Sequence, residues 1–186
     1  MACVLRTFSG SAVNLLDPRP QDIHIADIAH SLSHLCRFNG HCARYYSVAE
    51  HCVHVSRLTE RGNALWGLLH DSAEAYVGDL VRPVRAHPLL TGFESVEHRV
   101  LKAVCQRFHL LLPMPEDVIR ADRLMLHAEM ARWFRLPLPD DGSLIDDSEV
   151  QRLCRLLKGW DPREAKIRFL ERYEELASGE GIDVRF

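Results

Sequence analysis

The amino-acid sequence predicts a mainly α-helical protein. Two observations support this fold class. Apolar residues recur at spacings of three and four through most of residues 22–177, which is the period of an amphipathic helix. The chain has 186 residues, of which 47% are hydrophobic and 26% are charged, a length and a balance typical of one globular domain.

The helical elements follow one another along almost the whole chain. Seven helices are predicted by apolar spacing, over residues 22–38, 47–58, 64–77, 92–110, 116–135, 148–157 and 163–177. Ser47 starts the second helix, and Glu50 three residues later completes a capping-box pattern. Gly78 is a plausible terminator of the third helix. The stretches 39–46, 79–90 and 137–147 are expected to be loops.

The N-terminal segment departs from the helical pattern. Residues 4–20 place short apolar stretches on either side of Gly10, which predicts a small hairpin or an irregular arm. The sequence shows no internal repeat and no linker. We therefore expect a single domain over residues 1–186, with the N-terminal arm, the helical core and the C-terminal helices at 1–20, 22–135 and 148–178.

Charge and hydropathy exclude several classes of protein. The 23 basic and 26 acidic residues give a net charge of −3, whereas a surface that binds nucleic acid or an anionic membrane needs a basic surplus. The sequence has no apolar run long enough to span a bilayer, and its N-terminus lacks the apolar core of a signal peptide. Six cysteines without a CxxC pair indicate reduced thiols. We expect a cytoplasmic protein that binds neither membranes nor nucleic-acid polymers.

The strongest chemical signal is His70-Asp71 within the apolar third helix. Burying an imidazole and a carboxylate is costly unless a partner satisfies them, and a metal ion is such a partner. Glu74 lies four residues after His70 and projects on the same side of the helix. The alternative is a hydrogen-bonded His–Asp pair with a purely structural role, and the local spacing alone does not separate the two.

Two further residues extend the pattern to other helices. His51 lies on the second helix and Asp122 on the fifth, each beside an apolar face. Two imidazoles and two carboxylates suit a divalent ion, and they do not select among Mn, Co, Fe, Ni, Zn and Mg. An octahedral ion held by four protein ligands keeps two positions for water and a phosphate oxygen.

The order His…His-Asp…Asp resembles the HD superfamily of metal-dependent phosphohydrolases, and its wider context resembles the nucleotide-cleaving branch. Five stretches support this resemblance, at residues 27–33, 36–41, 46–51, 68–80 and 120–123. The resemblance implies an all-α fold, one divalent metal ion, a small nucleotide as substrate and a homo-oligomeric assembly.

The resemblance also implies roles for individual residues. His51, His70, Asp71 and Asp122 correspond to the metal ligands of the family. Glu74 corresponds to a carboxylate that orients or deprotonates the attacking water, and Asp79 to a second essential acid. The substrate contacts implied are Arg37 near the phosphate, Phe38 where relatives often have tryptophan, and Arg85 where relatives often have lysine. His41, in the loop beside Arg37, is a further candidate for substrate contact.

Two questions about function stay open at the level of sequence. The enzyme could release phosphate from deoxynucleoside monophosphates, as a 5′-deoxynucleotidase, or release triphosphate from substrates such as dATP. Several basic residues near the motifs mildly favour a polyphosphate, namely Arg37, Arg82, Arg85 and Arg120. The alternative from another class is a non-catalytic HD module that binds a nucleotide or a protein partner.

Overall fold

In the computed structural model, which describes residues 3–85, 87–134 and 146–180, the chain is mainly α-helical with a small antiparallel hairpin near the N-terminus. This confirms the predicted fold class. The helices in chain order are α1 (Ile25–His34), α2 (Val48–Leu58), α3 (Ala64–Leu69), α4 (Glu74–Val77), α5 (Arg82–Arg85), α6 (Thr91–Arg107), α7 (Glu116–Glu129), α8 (Asp147–Cys154) and α9 (Pro162–Glu180). Among the described residues, none of the helices combines the length and the apolar character needed to cross a membrane.

The hairpin consists of β1 (Val4–Arg6) and β2 (Ala12–Asn14), with Leu5 opposite Val13. Val13 is fully buried, so one side of the hairpin contributes to the core. The connecting turn is attached to α1, because the buried carboxylate of Asp27 accepts hydrogen bonds from the Ser9 amide at 2.6 Å and the Ser9 hydroxyl at 2.8 Å.

Helix α2 is the central element of the core. It contacts α1, α3, α7 and α9, and every residue from Val48 to Ser56 is buried. The closest approach is to α3 at Gly67, where a Cβ would lie 2.9 Å from the backbone Cα of Ser56. A residue without a side chain at this position lets α2 and α3 pack at short distance, and these two helices position the histidines described below.

The third predicted helix is interrupted at its centre. Helix α3 ends at Leu69, and the following amides of Ser72 and Glu74 bond to carbonyls three residues back, at 3.0 Å each. Helix α4 is then a single turn, which ends at Gly78 with φ +87° as predicted. The prediction of a continuous helix over 64–77 is therefore wrong at residues 70–73, where the His-Asp motif lies.

The capping box at the start of α2 forms only in part. The Ser47 hydroxyl accepts a hydrogen bond from the Glu50 amide at 3.1 Å, as expected for an N-cap. The fully buried Glu50 carboxylate instead accepts three amides of the link between α8 and α9, from Lys158 at 2.9 Å, Gly159 at 3.1 Å and Trp160 at 2.6 Å. Glu50 thus fixes this link to α2.

The other predicted elements occur with shifted ends. The first helix is shorter than predicted, covering Ile25–His34, and the fifth ends at Glu129 and continues as a π-helical turn over Met130–Phe134. The loop predicted over 79–90 contains α5 and a 3-10 turn at Pro88–Leu90. Most of the loop predicted over 137–147 lies outside the described residues.

Candidate metal centre

Two buried histidines face each other in the protein interior. His51 projects from α2 and His70 from the turn after α3, and their Nε2 atoms lie 3.3 Å apart. Oδ2 of Asp71 is 3.2 Å from the Nε2 of His70 and 3.7 Å from that of His51. These three side chains form a group that could hold a metal ion.

The second nitrogen of each imidazole is committed to a hydrogen-bond acceptor. His51 Nδ1 lies 2.6 Å from Oε1 of Glu129, and His70 Nδ1 lies 2.8 Å from the carbonyl oxygen of Gly67. Because an ionised carboxylate and a carbonyl can only accept, each Nδ1 carries the hydrogen. In the neutral rings, two Nε2 lone pairs then point toward one region, which is the arrangement of metal-ligating histidines.

The fourth predicted ligand reaches the same region from α7. Oδ1 of Asp122 lies 3.1 Å from the Nε2 of His51 and 3.9 Å from that of His70. Ligand atoms bound at roughly 2.1 Å to one ion lie roughly 3.0–3.4 Å apart in octahedral or tetrahedral geometry. The distances that involve the two imidazoles range from 3.1 to 3.9 Å, so His51, His70 and Asp71 could hold one small cation, and Asp122 lies beside the two imidazoles.

A fully buried glutamate supports the cluster from behind. Besides His51, the Glu129 carboxylate accepts the Tyr46 hydroxyl at 2.8 Å and an Arg37 Nη2 hydrogen bond at 3.0 Å. The other end of the Arg37 guanidinium lies 3.5 Å from Oδ2 of Asp71. Glu129 and Arg37 therefore link one imidazole of the cluster to one of its carboxylates.

These contacts keep the carboxylates of the cluster ionised. Burial alone would raise the pKa of Asp71, but the charge and hydrogen bond of His70 hold it at about 2. Burial likewise opposes ionisation of Glu129, and Arg37 and His51 outweigh it and lower its pKa. Burial lowers the pKa of His70, yet Asp71 and Cys52 raise it well above its usual value in the metal-free protein.

The charges around the cluster are unbalanced. With both imidazoles neutral, as metal ligation requires, Arg37 contributes +1 and Asp71, Asp122 and Glu129 contribute −3, which leaves 1 − 3 = −2. Buried charges in proteins are paired or bind metals, because unpaired charges pay a large desolvation cost. A divalent cation held by this group would neutralise the excess.

Two further acids lie beside the cluster. Glu74, on α4, is 9% exposed, and its Oε2 has no hydrogen-bond partner among the described residues. Burial, together with the charges of Asp71 and Asp79, raises the pKa of Glu74 well above its usual range. Burial also raises the pKa of Asp79, against the opposing effect of Arg37. Both acids are therefore suited to hold or accept a proton.

The cluster borders two cavities, of about 380 and 780 Å³. Both are lined by Asp71, Glu74, Arg85 and Asp122. The smaller cavity also has Arg37, Phe38, Asp79 and Arg82 in its wall, whereas the larger has apolar and acidic residues, among them Glu94, Glu97, Leu101, Met114 and Ile119. Of the four predicted ligands, Asp71 and Asp122 line both cavities and His70 lines the larger one.

Arg85, a predicted substrate contact that lines both cavities, forms an ion pair with a glutamate. Its Nη2 lies 2.6 Å from Oε2 of Glu97, a residue that is only 9% exposed. Arg82 forms no ion pair with any residue of the described ranges, and it lines the smaller cavity. Of the three arginines beside the cluster, Arg37 and Arg85 are therefore paired with carboxylates, whereas Arg82 has no such partner among the described residues.

Phe38 lines the smaller cavity in a strained backbone conformation. Phe38 and Asn39 have φ of +54° and +53°, a region that costs non-glycine residues about 1–3 kcal/mol each. The Phe38 ring packs edge-on against Phe134 with centroids 5.1 Å apart, and the Arg37 guanidinium lies 5.3 Å from its centroid. These contacts hold the ring at the cavity wall.

The chain is similar to bacterial proteins that are themselves uncharacterized. It matches no protein-family model. It is 34% identical to the uncharacterized protein YfdR of Escherichia coli K12 over 179 residues, which are 93% of this chain and 95% of YfdR. The chain belongs to the YfdR family. An uncharacterized protein of Rhodobacter capsulatus is 40% identical over 125 residues, covering 62% of this chain and 63% of that protein.

In this member of the YfdR family, the structure brings most of the sequence-predicted site residues together. The four predicted metal ligands converge, and Glu74, Asp79, Arg37, Phe38 and Arg85 line the adjoining cavities. His41 is different, because its side chain is exposed and lines neither cavity. The prediction that His41 contacts the substrate stays a prediction.

Glu129 is the site residue that sequence reasoning missed. One signal was available, since Glu129 lies seven residues after Asp122 on α7, and positions two turns apart share a helix face. Tyr46 is fully buried, and its hydroxyl donates a hydrogen bond to Glu129. The carbonyl of Gly67, which fixes His70, carries no signal in a sequence.

Proposed function

We propose that this protein is a divalent-metal-dependent phosphohydrolase that cleaves the 5′-phosphate ester of small deoxynucleotides. The single observation that best supports the proposal is the meeting of two imidazole Nε2 atoms at 3.3 Å, with each Nδ1 already committed to an acceptor. The resemblance of the sequence to HD phosphohydrolases supports the choice of reaction.

The metal ligands in this proposal are His51, His70, Asp71 and Asp122. The ion they hold would act as a Lewis acid that offsets phosphoryl charge and lowers the pKa of water. Phosphoryl transfer depends mainly on positioning and electrostatic stabilisation, which an ion in a buried site provides. The hydrogen bonds of His51 to Glu129 and of His70 to the Gly67 carbonyl would orient the imidazoles and so fix the position of the ion.

Glu74 and Asp79 are the proposed proton-transfer residues. Glu74 has a carboxylate oxygen without a protein partner and a raised pKa, so it is suited to take a proton from the attacking water. Such general-base catalysis typically contributes about 10²–10⁴-fold to the rate. Asp79 lies on the wall of the smaller cavity and would assist the leaving oxygen.

The pairing of the arginines favours a monophosphate substrate. Arg37 is shared between Glu129 and Asp71, and Arg85 is paired with Glu97, which leaves Arg82 as the arginine of the smaller cavity without an ion pair among the described residues. The larger cavity adds acidic side chains, Glu94 and Glu97 among them, which would repel a triphosphate chain. A phosphate dianion beside the metal needs less compensation than a triphosphate, so the paired charges outweigh the count of basic residues in the sequence.

The larger cavity suits the nucleoside. Leu101, Met114 and Ile119 give it an apolar wall, and the carboxylates of Glu94 and Glu97 can accept hydrogen bonds from sugar hydroxyls or base amines. We therefore propose that the phosphate lies at the four ligand atoms, with the nucleoside in this cavity.

A substrate panel tests the proposed function. Metal-stripped protein is supplied with Mn, Co, Mg or Zn and incubated with deoxynucleoside mono- and triphosphates, and chromatography identifies the products. We expect nucleoside and phosphate from monophosphates, only in the presence of metal. Triphosphate released from triphosphates would keep the enzyme class and overturn the monophosphate preference. Absence of turnover by metal-loaded protein would contradict the proposal and favour a binding module.

A further inference from the structure

A third cavity, of about 540 Å³, lies between α2, α8 and α9, away from the candidate metal centre. It shares no lining residue with the two cavities beside the metal ligands. Its size falls within the range of small-molecule sites in proteins. Because its wall includes residues of α2, the cavity adjoins the same helix that presents His51.

The floor of this cavity is apolar. It is formed by the side chains of Leu58, Met125, Leu153, Leu156 and Trp160. Met125, Leu153 and Trp160 are buried in the core, whereas Leu156 is 42% exposed at the edge. A ligand with a planar or aliphatic body would cover this surface and remove it from water.

The rim of the cavity is strongly basic. Its four cations are Arg57, Arg152, Lys158 and Arg168, and its one acid is Glu164, so the lining carries 4 − 1 = +3. The whole chain has a net charge of −3, and basic charge is therefore concentrated here against the overall balance. Within the described ranges, the side chain of Arg57 forms no ion pair or hydrogen bond, whereas Arg168 pairs with Glu164 at 3.0 Å and Arg152 with Glu149 at 3.6 Å. This concentration of charge fits an anionic group.

A buried histidine in the wall adds an unsatisfied polar atom. His54 is 4% exposed, and its Nε2 has no hydrogen-bond partner among the described residues, the Glu50 carboxylate being 3.6 Å away. The His54 ring packs against Trp160 with centroids 5.3 Å apart, and the Arg168 guanidinium lies 5.3 Å from the Trp160 ring centroid. Buried polar atoms without partners are uncommon in proteins.

The wall is also held rigidly before any ligand binds. Lys158 and Trp160 belong to the link whose three amides bond to the buried Glu50 carboxylate. A preformed wall reduces the ordering cost of binding. The apolar floor, the basic rim and the fixed wall thus occur together in this cavity.

We propose that this cavity is a second ligand site, which binds a small organic anion. The apolar body of the ligand lies on the floor beside Trp160, and its carboxylate or phosphate group lies at Arg57 and Arg168. The site is independent of the metal centre, so its test requires neither metal nor turnover.

Binding of 8-anilinonaphthalene-1-sulfonate, an amphipathic anion, tests this site in the full chain. We expect saturable binding of one molecule per chain, weakened by salt, with energy transfer from Trp160 that is reduced in Trp160→Phe. The double variant Arg57→Ser, Arg168→Ser should raise the Kd at least 10-fold. The matched control removes the same charge at two exposed residues outside the cavity, Arg155→Ser with Arg163→Ser.

The outcomes separate this site from unspecific binding. A larger loss of affinity in the cavity variant than in the control, with unchanged thermal unfolding, supports the site. An equal loss in both variants, or probe binding that neither variant changes, overturns it. If Trp160→Phe fails to fold, the two arginine pairs alone decide the result, because all four arginines are exposed.

Discussion

At the scale of single residues, Glu129 has the most direct control over the metal ligands. Its carboxylate accepts from His51, Tyr46 and Arg37 while fully buried, so its two oxygens face only donors. A carboxylate in this position fixes the imidazole tautomer and increases the basicity of the ligating nitrogen. Glu129 is thus a positioning residue, because it acts through His51 without reaching the cavities.

The first prediction concerns Glu129→Gln, which preserves shape and removes charge. The side-chain NH₂ group of the glutamine is a donor, and it would face another donor, either Arg37 or Tyr46. We expect the affinity for Mn or Co, measured by calorimetry, to fall about 10–100-fold. Glu116→Gln is the matched control, since Glu116 is exposed at the start of the same helix. Unchanged affinity in Glu129→Gln would show that this contact does not set the ligand geometry.

A second residue, Glu97, is predicted to control substrate choice. Its carboxylate pairs with Arg85 at 2.6 Å, and Glu97→Gln would release that cation toward an additional phosphate. We expect kcat/KM for dATP relative to dAMP to rise about 10-fold, which corresponds to roughly 1.4 kcal/mol. Glu94→Gln lines the same cavity without pairing with Arg85 and serves as the control. The same ratio in both variants would refute a specific role for this pair.

At the scale of elements, the spacing of α2 and α3 positions the two histidines. Gly67 makes this spacing possible, because a Cβ there would lie 2.9 Å from both the Ser56 Cα and the Thr59 hydroxyl oxygen. The carbonyl of Gly67 also bonds to His70. One residue therefore determines both the packing of the helices and the orientation of a ligand.

The third prediction follows from this contact. Gly67→Ala should lower the free energy of unfolding by about 1–3 kcal/mol through overpacking, although alanine favours a helix by about 1 kcal/mol. It should also weaken metal binding by separating His51 from His70. Urea unfolding and calorimetry measure the two effects. Gly62→Ala, where a Cβ meets nothing within 4 Å, is the control and should change neither.

The periodicity of the sequence predicted the positions of the helices better than the contacts between residues distant in the chain. The apolar spacing located α1, α2, α6, α7, α8 and α9, because burial of one face is a local property of the sequence. The break after Leu69 and the partners of Glu50 depend on contacts with residues distant in the chain, and local spacing does not report them. The proximity of His51, His70, Asp71 and Asp122 could be predicted because these residues match a motif, whereas Glu129 contacts His51 from 78 residues away in the chain.

At the scale of the whole molecule, the helices bring together more negative than positive charge around the metal ligands. Helix α7 contributes Asp122 and Glu129 and the turn after α3 contributes Asp71, and Arg37 offsets one of these three charges, which leaves the excess of −2 when both imidazoles are neutral. Since a cation at this point binds only the folded chain, it should stabilise the fold. The stabilisation is about 2.7 kcal/mol when the free ion is at 100 times its Kd.

The fourth prediction is that Mn or Co raises the unfolding temperature of chelator-treated protein. Differential scanning calorimetry with and without the ion measures this effect. Asp122→Asn keeps the shape of one ligand and removes its charge, so the increase should be smaller in that variant. An equal increase in Asp122→Asn and the unsubstituted chain would indicate that the ion binds elsewhere.

The most direct test of the proposed metal-dependent hydrolysis compares the unsubstituted protein with Glu74→Gln, both assayed for bound Mn and for phosphate released from dAMP and the other deoxynucleoside monophosphates. We predict that both proteins retain the ion and that Glu74→Gln loses about 10²–10⁴-fold in turnover. Metal-loaded protein that releases no phosphate, or a Glu74→Gln variant as active as the unsubstituted chain, would contradict this account.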